Sequence, residues 1–181
     1  MWQGEGDCYP CFCRLSFCDS GLACVWNGLG LFVECGFISL VEDHIGMGWV
    51  LRDHDGFFVA AQAITTPGPI LPREAEALAV REALSRLKNN HLDNIIVETD
   101  AVVLVRNLHK PSLSPFGLLM DDITVLLSAF QNVKLCHVRR DANVVAHLLV
   151  CYAFSHCTSV TWVDSGPLFI SSVVLHDLSI N

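Results

Sequence analysis

The chain has 181 residues, of which 52% are hydrophobic and 17% charged, so it can bury the core of one ordinary domain and is not disordered as a whole. Its formal net charge is −8, from 11 Lys and Arg against 19 Asp and Glu, which excludes a protein held to nucleic acid by bulk positive charge alone. Nine cysteines, six of them within the first 35 residues, make a poor disulfide framework for a secreted domain. We therefore expect an intracellular, reducing compartment, the nucleus or the cytoplasm.

Residues 1–30 form an irregular, Cys-rich leader that we expect to be poorly ordered. Cys8, Cys11 and Cys13 have the spacing of half a zinc site. A closed structural site takes four ligands, usually as two spaced pairs, and no matching second pair follows. Reduced cysteines are the preferred interpretation. A zinc-binding interaction module stays open as an alternative, and it requires stoichiometric zinc in the purified protein.

The apolar stretch 21–41 is interrupted by Asn27, Glu34 and several glycines. A charge in the middle of a membrane span is costly in lipid. We interpret the stretch as a buried strand near 31–41 with a loop before it, and we expect no membrane association.

The next elements are a hairpin and a helix. Residues 47–52 and 57–61 are short apolar runs joined by His54-Asp55-Gly56, a turn sequence that indicates two paired strands. Pro72 stands at a plausible helix start, and apolar residues recur at helical spacing from there to about Asn90.

Beyond residue 90 the pattern predicts, in order, a buried strand over 94–99, a helix through Val105, a Pro-bounded loop, a helix over 118–130, a strand over 133–138 and a helix over 143–155. This order of elements indicates an α/β fold with a mixed sheet. We place the domain at residues 31–156, with a C-terminal tail over 157–181.

Two carboxylates of the predicted fold point to a cation. Glu76 shares its helical face with Val80, Ala83 and Leu87, and buried carboxylates are rare unless they are paired, protonated or bound to a cation. Position alone favours a half-exposed Glu that interacts with the helix dipole. Asp100 ends a buried strand, however, and ligands bind at that end of open α/β sheets. Together the two residues predict a Mg²⁺ site.

Four sequence motifs occur in one order: Gly46-Met-Gly-Trp-Val-Leu-Arg-Asp-His-Asp-Gly56, Arg73-Glu-Ala-Glu-Ala-Leu-Ala-Val-Arg-Glu-Ala-Leu84, Val97-Glu-Thr-Asp100 and Val138-Arg-Arg-Asp-Ala-Asn-Val-Val-Ala-His-Leu148. From about residue 31 to the C-terminus, the chain resembles the ribonuclease H-like (RNase H type-1, reverse-transcriptase-like) domain of plant non-LTR retroelement-derived proteins. The closing stretch from Trp162 to Phe169 is also similar to that family's tail.

The resemblance implies a ribonuclease H-like mixed sheet of five strands flanked by helices. It also implies an enzyme, an endonuclease that hydrolyses the RNA strand of RNA–DNA hybrids with two Mg²⁺ or Mn²⁺ ions. Such chemistry requires several carboxylates, because they offset the charge of the ions around the scissile phosphate.

Carried over residue by residue, the family's helix Glu corresponds to Glu76 and its strand-end Asp to Asp100, while Asn143 matches the family's Asn. The fourth metal-site position corresponds to His147, where a neutral imidazole ligates or relays a proton but offsets no metal charge. The first-strand Asp has no counterpart, and Glu34 stands nearest to its place. The predicted catalytic set is therefore Glu34, Glu76, Asp100 and His147, with the three carboxylates as metal ligands.

Two functions follow from this set. One is a divalent-ion-dependent hybrid nuclease whose activity is weakened or lost for want of the first-strand Asp. The other is a non-catalytic nucleic-acid-binding or scaffolding relic of a retroelement. In both cases the candidates for nucleic-acid contact are Arg52, Arg73, Arg139, Arg140 and Asn143, with an ordinary solvated surface as the alternative for the arginines. The direction in which Glu34 points distinguishes the two, and the sequence names no protein partner.

Overall fold

The computed structural model describes residues 30–39 and 44–179; the leader, with its cysteine motif, lies outside them. The strands are β1 (Leu31–Ser39), β2 (His44–Arg52), β3 (Phe58–Pro67), β4 (Ile95–Thr99), β5 (Val133–His137) and β6 (Val160–Val163). The helices are α1 (Pro72–Asn89), α2 (Val102–Asn107), α3 (Pro115–Ser128), α4 (Val144–His156) and α5 (Leu168–Ser179), and a single 3₁₀ turn at Arg140–Ala142 precedes α4.

The strands form one mixed sheet in the order β5-β4-β1-β2-β3-β6. β4 runs parallel to β1 and to β5, whereas β2 pairs antiparallel with both β1 and β3. The prediction of an α/β fold with a mixed sheet is confirmed, but the count of five strands is wrong, because β6 adds a sixth strand antiparallel to β3. β6 comes from residues 157–181. It has four residues, alternately half-buried and exposed, too few to produce a periodic apolar run.

Helices cover both faces of the sheet. On one face, α1 and α3 pack over β1, β2 and β4 in a cluster that includes Val33, Cys35 and Val97. On the other face, α4 and α5 pack against Val50 and Ala61 of β2 and β3. The predicted hairpin and the helix from Pro72 are confirmed. The helix predicted over 118–130 begins earlier, at Pro115, because the Ser114 hydroxyl accepts a hydrogen bond from the Gly117 N–H at 3.0 Å and caps it.

The Gly46-x-Gly48 motif allows α4 to approach β2 closely. A Cβ atom built on Gly48 would lie 2.9 Å from the Cβ of Leu149 and 3.1 Å from the backbone oxygen of Ala146. Only glycine gives this helix room at that distance. The close approach positions the start of α4, and therefore Asn143 and His147, next to the ends of β1 and β4.

Candidate metal site at the strand ends

Asp100 lies directly after β4, and two side chains from the β5–α4 connection hold its carboxylate. The guanidinium of Arg140 donates from Nε to Oδ2 at 3.1 Å, and the amide of Asn143 donates to Oδ1 at 3.3 Å. The Asp100 side chain keeps 21% of its surface exposed. Its carboxylate is therefore fixed in direction but still open to a ligand from solvent.

Asn143 is almost completely buried, with 2% of its surface exposed. Its Nδ2 donates to the backbone oxygen of Cys35 at 2.8 Å as well as to Asp100. One amide thus connects the middle of β1, the end of β4 and the start of α4. Its Oδ1 finds no hydrogen-bond partner within the described part of the chain. Such a buried amide acts as a positioning residue for Asp100 rather than as a surface contact to nucleic acid.

Glu76 lies near the start of α1, half-buried between the fully buried Ala75 and Ala77. Burial first and the charge of Asp100 second raise the pKa of the Glu76 carboxyl above its ordinary value of 4.5, while the charge of Arg140 lowers it. The fold thus brings two carboxylates from separate elements close enough to repel each other. A two-ion site requires the carboxylates of Glu76 and Asp100 to lie roughly 4–8 Å apart. This separation stays a prediction.

Glu34 forms a buried ion pair elsewhere. Its Oε1 lies 2.8 Å from a terminal nitrogen of the Arg52 guanidinium, with 11% and 5% of the Glu34 and Arg52 side chains exposed. In the β1–β4 register Glu34 stands opposite Glu98, two residues before Asp100. The structure therefore gives Glu34 a buried cationic partner in Arg52, and its part in the metal site stays a prediction. The alternative of an unpaired buried acid is not found, because Arg52 compensates the charge.

The β1 residue beside Asp100 is Gly36. The register ends with Cys35 opposite Thr99, so Gly36 and Asp100 are the next residues on the two strands. A Cβ atom at Gly36 would lie 3.3 Å from the Cβ of Ala146 and 3.7 Å from Nδ2 of Asn143. A side chain at Gly36 would therefore press on Ala146, and the first strand supplies no carboxylate at this position. Sequence reasoning missed this position, which only the β1–β4 register identifies.

His147 begins the exposed side of α4, one turn beyond Asn143. Its backbone N–H donates to the Asn143 backbone oxygen at 3.2 Å, and its ring is exposed. Nε2 of the ring lies 3.7 Å from Sγ of Cys151. The structure thus gives this imidazole a thiol as its neighbour, and it shows no contact between His147 and the two carboxylates.

The arginines predicted to meet phosphate fall into two groups. Arg52 is 4% exposed and ion-paired with Glu34, so it does not belong to the surface. Arg73 is exposed above the ring of Phe116, at 5.5 Å from its centroid. Arg139 and Arg140 have 86% and 82% of their side chains exposed. Three of the four arginines are therefore accessible to a phosphate.

The donor set at the strand ends fits one divalent cation better than two. Glu76 and Asp100 supply oxygen ligands, which Mg²⁺ and Mn²⁺ prefer. They carry two negative charges against the four positive charges of two ions, and the position beside Asp100 on β1 holds glycine.

A second acidic group lies in the β2–β3 turn, where ligand atoms of Asp53, His54 and Asp55 all fall within 4.8 Å of one another. Oδ1 of Asp53 already accepts from the backbone N–H groups of Asp55 and Phe57, at 3.0 and 2.9 Å. This carboxylate therefore stabilises the turn, and the three-residue group is a weaker candidate for a metal site.

Within residues 30–39 and 44–179, none of the helices combines the length and the hydropathy that a membrane span requires.

A family model described as "Reverse transcriptase-like" matches residues 34–153 of the chain. Among solved structures, the chain is similar to RNase H1 from the halophilic archaeon Halobacterium salinarum, with 22% identity and a TM-score of 0.61 over 71% of this chain and 98% of that one. It is also similar to LC11-RNase H1, isolated from compost by a metagenomic approach and solved in complex with RNA/DNA hybrid, with 18% identity and a TM-score of 0.61 over 72% and 99% of the two chains. At these identities the likeness shows the fold.

A curated relative is the "Bifunctional protein GlmU" of Mycobacterium bovis, 25% identical over 150 residues. The match covers 76% of this chain and 30% of that protein. The chain thus spans about a third of the curated relative, whose activity as a whole protein is not carried over.

Proposed function

Because the chain belongs to the reverse transcriptase-like family, we propose that it is an RNase H-like domain that binds RNA–DNA hybrids and holds a divalent cation between Glu76 and Asp100. Hydrolysis of the RNA strand is weakened by several orders of magnitude or lost. The observation that carries this proposal is the convergence of two carboxylates that repel each other: burial first and the charge of Asp100 second raise the pKa of the Glu76 carboxyl. A shared Mg²⁺ or Mn²⁺ ion relieves that repulsion.

Asp100 and Glu76 would hold a divalent ion, which would supply activation of a water and stabilisation of the leaving 3′ oxygen. The Nδ2 group of Asn143 orients the Asp100 carboxylate. Arg140 pairs with Asp100, and its exposed guanidinium would also be able to contact a backbone phosphate.

The hybrid as partner is supported by the surface arginines and by the fold. Arg73, Arg139 and Arg140 are exposed, and guanidinium groups match phosphate geometry. LC11-RNase H1, which has a similar fold, was solved with an RNA/DNA hybrid. Because the chain is acidic overall, we expect binding through these local contacts and a strong dependence on salt.

A labelled RNA–DNA hybrid in Mg²⁺ or Mn²⁺, with measurement of both binding and cleavage, tests the proposal. We expect salt-dependent binding that weakens in Arg139→Gln and Arg140→Gln, and cleavage that is slow or absent and disappears in Asp100→Asn. Failure to bind at any salt concentration would contradict the proposal that the RNA–DNA hybrid is the partner. Cleavage that persists in Asp100→Asn would come from a contaminant or another site.

The second candidate function, a binding or scaffolding relic without catalysis, is favoured by Gly36. A third carboxylate is absent from β1 beside Asp100, and the nearest acid, Glu34, is neutralised by Arg52. Hybrid binding without any cleavage, even in Mn²⁺, would support this candidate over the weakened nuclease.

A further inference from the structure

The exposed side of α4 carries an imidazole and a thiol one helical turn apart. His147 and Cys151 are spaced i, i+4, which places their side chains on one helical face. Nε2 and Sγ are 3.7 Å apart, His147 is exposed, and Cys151 is half-buried with a free thiol. The mechanism of hybrid hydrolysis does not use this pair as it stands.

The spacing of these two atoms is close to that of two ligands on one tetrahedral zinc ion. With Zn–N of about 2.1 Å, Zn–S of about 2.3 Å and a tetrahedral angle, the two ligand atoms stand about 3.6 Å apart. The observed 3.7 Å therefore matches the separation of the two ligand atoms in a zinc chelate. Because both residues belong to one helix, the backbone already fixes their relative position.

We propose that His147 and Cys151 bind a zinc ion as a two-residue chelate on the surface of α4, with water completing the tetrahedron. A thiolate and a neutral imidazole are ligands that favour zinc, whereas Mg²⁺ favours oxygen. Binding deprotonates the thiol and releases one proton, so affinity rises with pH. The proposed zinc ligands, an imidazole and a thiolate, are different residues from the carboxylate pair, and the proposal does not depend on hybrid hydrolysis.

The C-terminal end of the same helix provides a matched control. His156 and Cys157 are also a free His and Cys, both exposed. Nδ1 of His156 lies 3.0 Å from the backbone oxygen of Tyr152, and its ring stacks on Tyr152 at 4.1 Å. The Cys157 thiol donates to the Phe154 backbone oxygen at 3.6 Å. This second pair has the same residue types and different contacts, so the same two substitutions there test geometry rather than composition.

The experiment is a titration of the full chain with Zn²⁺ and with Co²⁺, measuring bound equivalents and the absorption band of a cobalt–thiolate bond. We expect His147→Gln and Cys151→Ser each to lower the affinity for one equivalent of metal by at least about tenfold. The double variant His156→Gln/Cys157→Ser should retain that equivalent. Any zinc bound by the leader cysteines is present in all four proteins and cancels in the comparison.

Unchanged stoichiometry and affinity in either His147→Gln or Cys151→Ser would overturn the two-residue site, as would an equal loss in the control variant. Both substituted side chains reach the surface, so we expect the metal-free thermal midpoints to match wild type. If the midpoint of His147→Gln differs from wild type, His147→Asn replaces that variant. If the midpoint of Cys151→Ser differs, Cys151→Ala replaces it. The response to Mg²⁺ should persist in Cys151→Ser, so a failure of the carboxylate site and a failure of the zinc site give different results.

Discussion

Two acidic groups of the domain have opposite electrostatic environments. Glu34 is buried and paired with Arg52, itself buried, at 2.8 Å. Asp100 and Glu76 are partly exposed and repel each other, and the cation that pairs with Asp100 is the largely exposed Arg140. The charge of Glu34 is satisfied inside the fold, whereas the charge of the strand-end pair is balanced incompletely. We therefore expect a divalent cation at the incompletely balanced pair, Glu76 and Asp100, rather than at Glu34.

The largest effect is expected from breaking the internal pair. Arg52→Met removes the guanidinium beside the buried carboxylate of Glu34, which should lower the free energy of unfolding by about 3–5 kcal/mol. Urea denaturation measures the change. The double variant Glu34→Gln/Arg52→Met removes the charge and should recover part of the loss. A single variant as stable as wild type would mean that Glu34 is not held by Arg52.

Gly36→Asp tests whether the strand-end site lacks a third carboxylate. The new side chain stands beside Asp100 and should tighten binding of Mg²⁺ or Mn²⁺ by at least tenfold, about 1.4 kcal/mol. Isothermal titration calorimetry measures the affinity, and the hybrid assay measures any gain in cleavage. Gly36→Ala is the matched control, because it makes the same contact with Ala146 without a carboxylate. Equal affinity in the two variants would contradict the assignment of Gly36 to the site.

The raised pKa of Glu76 predicts a pH dependence with a definite sign. An acid whose pKa is higher in the folded state stabilises the fold at low pH, and this contribution is lost as the pH rises from 4.5 through the raised pKa. A bound divalent ion favours the charged form, so stabilisation by Mg²⁺ should grow over the same window. Thermal denaturation with and without Mg²⁺ measures this, and Glu76→Gln should remove the growth. A response to Mg²⁺ that weakens with pH would contradict the account.

The smallest effect is expected from Arg140, which competes with the divalent ion for the Asp100 carboxylate. The pair with Asp100 is exposed on the arginine side, and such pairs contribute about 0–1 kcal/mol. Arg140→Gln should therefore tighten Mn²⁺ binding by no more than a few-fold. Arg139→Gln removes the same charge from a side chain that pairs with Asp141 instead, and it should have less effect. Equal changes in both variants would indicate a general effect of net charge.

Most of the fold could be predicted from periodicity, because the central strands and the long helices carry sustained apolar patterns. Residues 160–163 could not be assigned as a strand, since their place depends on pairing with β3. Glu76 and Asp100 were identified from the sequence because Glu76 falls on the apolar face of a predicted helix and Asp100 ends a predicted buried strand. The pairing of Glu34 with Arg52 could not be predicted from the sequence. Arg52 lies on the neighbouring strand, and only the register brings the two together.

The central claim is that Glu76 and Asp100 bind a divalent cation and that Glu34 does not. A thermal-shift titration with Mg²⁺ and Mn²⁺ on wild type, Glu76→Gln, Asp100→Asn and Glu34→Gln tests it most directly. We expect an ion-dependent rise in midpoint for wild type, its loss in Glu76→Gln and Asp100→Asn, and its retention in Glu34→Gln despite a lower starting stability. No ion effect on wild type, or an effect abolished by Glu34→Gln, would contradict the account.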